Sequence, residues 1–105
     1  MRRLELTESA RLDLKSIRRY SGRIWAPNEP IRYLADLRDT MKALRSGALV
    51  GRERDDLRSG LRTAASGRHR IFFVADVSRI FVVRVLHEKM DYRRHLENEE
   101  PPPND

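Results

Sequence analysis

The sequence predicts an α+β fold: a helical hairpin packed on a small antiparallel-rich β-sheet, in the order β-α-α-β-β-β with a short C-terminal helical turn. Three observations predict it. Apolar residues recur at spacings of three and four in two successive stretches between Ala10 and Leu44. Two strongly apolar runs, Ile71–Ala75 and Ile80–Val83, follow with only a short break between them. At the start, Leu4 and Leu6 alternate with Arg3 and Glu5. At 105 residues the chain suits one domain and is too short for two.

The elements follow in order. Arg2–Leu6 reads as the first strand. Thr7 suits a helix N-cap, and Glu8 lies in the first turn, where the helix dipole favours a carboxylate. Ala10, Leu14, Ile17, Ser21 and Ile24 make one apolar stripe, with Arg11, Lys15, Arg18 and Arg19 mostly off it. Leu12 points to the opposite side, a candidate partner contact. Trp25-Ala26-Pro27-Asn28 interrupts the pattern; Asn28 suits a second cap and Pro30 the first turn after it. Ile31, Leu34, Leu37, Met41 and Leu44 form the expected buried stripe of the second helix, and Gly47 closes it. The short connection makes the two helices an antiparallel hairpin.

Residues 48–60 are polar and read as a loop. Leu61–Ala65 reads as a strand, Ser66-Gly67 as a turn, Arg68–Ala75 as the next strand, and Arg79–Leu86 as the last. The last two strands lack clean polar alternation, so they are expected at the centre with both faces covered. Strict alternation on the last strand puts Ile80, Val82, Arg84 and Leu86 on one face and Phe81, Val83, Val85 and His87 on the other. Tyr92–Leu96 suits a short helical turn. Glu97–Asp105 contains three consecutive prolines and is expected to be a disordered acidic tail, which leaves residues 1–96 as the folded domain.

Composition narrows the function classes. Charged residues reach 36%, so most of the surface is ionic. With the four acids of the tail set aside, residues 1–96 carry 22 bases against 12 acids, a net +10. Such a body attracts polyanions or acidic protein segments. The absence of cysteine excludes a disulfide scaffold and a thiolate zinc site, and fits a reducing cytoplasm. The N-terminus has no apolar core of a signal peptide, and no apolar run approaches the roughly 18 residues of a membrane span. A soluble, cytoplasmic protein is expected.

Motifs for chemistry are few. His69, His87 and His95 lack a metal-binding spacing, so no metal and no cofactor are expected. The glycines form no phosphate loop, and Asp55-Asp56 are adjacent and point apart in extended chain. Metal-free RNA cleavage would need a cation, a base and an acid together. Alternation separates Arg84 from His87, and 48–70 holds no lysine. Arg84 is singular: a buried, unpaired arginine is costly. Its face is therefore either a groove that an acidic partner reaches or the site of an internal salt bridge, to Glu5 or Asp36 for instance.

Three segments carry a resemblance. LTESARLDLKSIRRY (6–20), the stretch from Leu61-Arg62 to GRHRIFF (67–73), and VRVLHEKMD (83–91) resemble the ParE toxins of the RelE/ParE superfamily of type II toxin–antitoxin systems. The resemblance covers about residues 3–96. Its most specific part is the pairing of GRHRIFF with RVLHEKMD at this separation. It implies a helical hairpin on a small sheet and a toxin that poisons DNA gyrase by binding, without enzymatic chemistry. It also implies neutralisation by a ParD-like antitoxin, commonly two toxins per antitoxin dimer, and no sequence-specific DNA binding by the toxin itself. On that footing Leu12, Arg70 and Arg84 are antitoxin-binding candidates. His87, Lys89, Met90 and Asp91 are gyrase-binding candidates. The alternatives are a RelE-like, ribosome-dependent mRNA endoribonuclease, with Tyr92 near the expected tyrosine position, and an inactive relative that only binds antitoxin.

Overall fold

The computed structural model describes residues 2–24, 29–97 and 99, with side chains for 2–19, 31–97 and 99. The elements are β1 (Arg3–Leu6), α1 (Glu8–Ile24), α2 (Glu29–Ser46), β2 (Arg52–Glu53), β3 (Arg62–Ser66), β4 (His69–Ala75), β5 (Arg79–His87) and α3 (Tyr92–Glu97). The sheet order is β1-β5-β4-β3-β2. β1 lies parallel to β5, and the other three pairings are antiparallel. The α+β class and the element order match the reading of the sequence, with β2 as an addition.

Thr7 starts α1 as expected. Its Oγ1 accepts the Ala10 N–H at 3.0 Å and donates to the Val83 carbonyl at 2.6 Å, so one hydroxyl caps the helix and ties it to β5. The stripe residues Ala10 and Ile17 are buried and Leu14 packs against the same core. The backbone of α1 continues to Ile24; the expected cap at Asn28 and the break at Trp25–Pro27 lie outside the described residues. Gly47 ends α2 at φ +88, with its N–H donating to the Leu44 carbonyl. Ile31 departs from expectation: it is 68% exposed. Two residues further on, Tyr33 already lies over the β3–β4 turn, where its hydroxyl meets Ser66 and Arg68. Ile31, in the first turn of α2, therefore lies beyond the cover of the sheet among the described residues.

β4 and β5 are central, and both faces of the sheet are covered. On one face the helices bring Ala10, Ile17, Leu37, Met41 and Leu44 against Ile71, Phe73, Ile80, Val82 and Val85. On the other, Leu61, Phe72, Val83, Leu86 and Leu96 form a second, smaller core, with Leu57 and Tyr92 packed on it. The neighbours Phe72 and Phe73 thus point to opposite faces and are both nearly inaccessible. Burying Leu96 contributes about 2 kcal/mol, which a six-residue helix needs because it does not form alone. Leu57 explains why 48–60 is more than a polar loop: it covers the second core, while Arg52 and Glu53 pair with Thr63 and Arg62 as an edge strand.

The expected faces of β5 require correction. Phe72 pairs with Arg84 but Phe73 pairs with Val82, so Val83 is an extra residue, a β-bulge. The alternation changes phase there. Ile80, Val82 and Val85 share the helix-facing core, whereas Val83 and Leu86 share the other. The expected tail boundary also shifts. Glu97 is the last residue of α3, and Glu99 is tied into the body by ion pairing. The rest of the proline-rich segment lies outside the described residues.

Candidate functional site

The two helices leave a groove of about 250 Å³ between them. Leu14, Leu34, Leu37 and Met41 line it with apolar surface; Arg11, Lys15, Arg18 and Arg38 stand along it. The pattern follows from helical spacing. The same stripe that buries Ala10 and Ile17 presents Leu14 at its margin, and the cations fall just off the stripe. Among the described residues, no acidic residue lines the groove and its four cations make no ion pair. Leu12 is 53% exposed on α1 and does not line the groove.

Arg84 is held in an internal ion-pair network. Its Nε and Nη2 donate to the two carboxylate oxygens of Asp13, on α1, at 2.7 and 2.8 Å. Its Nη1 donates to Glu99 Oε1 at 3.2 Å and to the His95 carbonyl at 3.3 Å. The side chains of Arg84, Asp13 and Glu99 are only 16%, 14% and 16% exposed. Asp13 also accepts the Val85 N–H at 2.9 Å. The internal salt bridge is thus the reading that holds, with different partners from those expected. Glu5 instead accepts from the buried Arg79 at 2.9 Å, across the parallel β1–β5 pair. β1 stops at Leu6, so the edge of β5 beyond Val82 is met by α1 instead, and that is what brings Asp13 to Arg84. The Asp13 carboxylate raises the Arg84 pKa and holds the guanidinium charged.

The cross-strand register places His69 opposite His87, with ring centroids 5.3 Å apart. Tyr33 Oη lies 2.5 Å from His69 Nδ1 and accepts the Arg68 N–H at 3.0 Å, with the Ser66 carbonyl at 3.2 Å. A proton on His69 Nδ1, donated to Tyr33, satisfies these three contacts at once and leaves a lone pair on Nε2. Burial, then the neighbouring His87, lowers the His69 pKa to about 4, so the ring is neutral at pH 7. Burial also raises the pKa of the Tyr33 hydroxyl. Gly67 is required by this arrangement. Its φ is +57, and a Cβ there would come within 2.7 Å of the Tyr33 ring.

Arg70 reaches Glu88 at 3.4 Å, and Arg68 reaches the same carboxylate at 3.7 Å. The segment after β5 is a tight turn. The Lys89 N–H donates to His87 Nδ1 at 3.1 Å, and the Met90 N–H donates to the His87 carbonyl. Asp91 accepts the Arg94 N–H at 3.3 Å and so starts α3. Lys89, Met90 and Asp91 are exposed, Met90 by 44%. Of the candidate residues, His87 and Arg70 therefore belong to one cluster with Tyr33 and Glu88. Lys89–Asp91 form an adjacent exposed turn, Leu12 stands apart, and Arg84 is internal. Reading the sequence missed Tyr33 and Asp13. Asp13 lies in the LTESARLDLKSIRRY stretch, but no local signal ties it to a strand 71 residues away.

Among the described residues, no group of three His, Cys, Asp or Glu could hold a metal ion, and no helix is long and apolar enough to cross a membrane.

Comparison with known proteins agrees with this geometry. The family model for the ParE toxin of type II toxin–antitoxin systems, parDE, matches residues 4–92. Toxin ParE1 of Caulobacter vibrioides is 33% identical over 96 residues, which cover 91% of this chain and 99% of the relative. Toxin ParE of Escherichia coli is 33% identical over 92 residues, covering 87% and 89%. A solved structure, described as the chromosomal ParDE TA system from P. aeruginosa, superposes with a TM-score of 0.70 at 22% identity, covering 83% of this chain and 96% of that one, and so supports the fold. A match across nearly the whole described body, together with a 33% identical relative covered over 99% of its length, places this chain in the ParE toxin family of type II toxin–antitoxin systems.

Proposed function

We propose that this toxin acts by binding in the cytoplasm, that its target is DNA gyrase, and that a ParD-like antitoxin neutralises it. The observation that carries the antitoxin half is the groove between α1 and α2. An apolar floor with four cations along it, none ion-paired among the described residues, fits an amphipathic, acidic segment that folds as it binds. Burial of its apolar face supplies affinity, and the cations raise the association rate and select for acidic partners. Family membership supports the gyrase half, and the exposed Lys89-Met90-Asp91 turn beside His87 is the surface we assign to it.

Supercoiling by purified gyrase tests the target. Added toxin should inhibit it and trap the cleaved-DNA complex; full activity without trapped complex would remove gyrase from the reading. Harmless induction of the folded protein would instead mark an antitoxin-binding relative that has lost activity.

One observation favours a second reading, RelE-like cleavage of mRNA on the ribosome. Tyr33, His69, His87, Arg68 and Arg70 share one end of the sheet, which gathers the group types such cleavage needs. Against it, His69 is half-buried and tied to Tyr33, and both arginines are engaged with Glu88. Mapping mRNA ends in a translation extract separates the readings: cuts at the ribosomal A site would support cleavage.

A further inference from the structure

Two arginines from different elements grip the chain just after α3. Arg84, on β5, donates to the His95 carbonyl and to the Glu99 carboxylate. Arg58, in the segment before β3, donates through Nη2 to the Leu96 carbonyl at 3.1 Å and to the Glu99 carbonyl. The Glu99 N–H returns to the Leu96 carbonyl at 3.1 Å. Arg58 Nη1 is buried and has no acceptor among the described residues.

This arrangement is more than a helix cap. Carbonyl acceptors alone suffice to end α3, yet the site also takes a full carboxylate. That carboxylate comes from the one acidic, proline-rich stretch of a chain whose remaining 96 residues carry a net +10. Asp13 neutralises one side of Arg84, and Glu99 takes up Nη1 on the other.

We propose that Arg84, which holds the carboxylate, and Arg58, which holds the backbone beside it, form a clamp that Glu99 fills in cis and that an acidic peptide segment of a partner fills by displacing it. The C-terminal acidic segment is then an intramolecular competitor. It lowers the affinity of this face for acidic chains until a partner with several carboxylates outcompetes one. The clamp lies on β5 and the segment before β3, apart from the helical groove, and does not depend on which target the toxin poisons.

The probe is a deca-glutamate peptide, its binding followed by fluorescence anisotropy at low salt. Glu99→Gln should bind it about tenfold more tightly than the wild type, the scale of one charge-assisted contact. Glu97→Gln makes the same change of charge at an exposed site and should shift binding less than twofold. Equal affinities for the two variants would overturn the proposal, since net charge alone would then explain any gain. A second measurement needs no variant. In the wild type, deca-glutamate should shift the Arg58 and Arg84 side-chain Nε resonances together with the Glu99 amide. Binding that leaves all three unmoved would equally overturn it.

Discussion

Asp13→Ala tests the contact that decided where Arg84 sits. The carboxylate accepts two guanidinium N–H bonds and the Val85 N–H, at 2.7, 2.8 and 2.9 Å. Removing it strands a mostly covered arginine and a backbone donor on the central strand. Breaking a buried pair from one side costs about 3–5 kcal/mol. Arg84 keeps Glu99 and is still 16% exposed, so the lower end, about 3 kcal/mol, is expected. Asp13→Asn keeps an oxygen for one donor and should cost about half as much, on the order of 1.5 kcal/mol. Replacing both partners, as Asp13→Leu with Arg84→Met, should recover part of the loss, because the arginine is no longer stranded, although Glu99 loses its cation. Recovery stays incomplete because the Val85 N–H still lacks its acceptor. Urea unfolding at constant m-value measures all three, and about 3 kcal/mol lowers the melting temperature by roughly 12 °C at this chain length. Asp13→Ala within about 0.5 kcal/mol of the wild type would refute the reasoning, because that is the scale of ordinary surface substitutions.

Other consequences can be measured independently. His69 has its pKa lowered from 6.5 to about 4, with His87, Arg70, Asp13, Glu88 and Tyr33 facing it. The unfolded chain then binds a proton that the folded chain refuses, so stability should fall as pH drops from about 6.5 to about 4; allowing for partial exposure, the loss is about 1–2 kcal/mol. His69→Gln should flatten that slope, and an unchanged slope would assign the effect elsewhere. Gly67→Ala should cost about 2–3 kcal/mol, from positive φ plus the clash with Tyr33. Gly60→Ala, with similar φ and open space around it, should cost about 1 kcal/mol; equal losses would dismiss the Tyr33 contact. Arg11→Glu with Arg18→Glu should slow association with the antitoxin at least about tenfold at low salt, with the gap closing at high salt. A salt-independent rate would place the antitoxin elsewhere.

Much of this architecture was legible along the chain, because the forces that set it act over a few residues. Helical spacing identified α1 and α2, and the Thr7 cap acts within one turn. The continuous apolar runs of β4 and β5 announced a sheet core covered on both sides. Ile31 shows the limit of that logic. Its spacing is that of a buried residue, but nothing in the spacing says where the sheet beneath it ends. Likewise Tyr33, outside the apolar stripe of α2, gives no local signal of its role until the β3–β4 turn comes beneath it.

The sequence by itself determined the α+β class, the basic body with its acidic end, and the motifs of the ParE toxins. Only the tertiary structure decided which charges meet. The extra residue Val83 reset the alternation of β5 after Val82. The early end of β1 let α1 deliver Asp13 to Arg84, and the register of β4 on β5 set His69 against His87. Each depends on pairing between segments far apart in the chain. A strand's period states which of its residues share a face, but not which residues of another strand lie opposite.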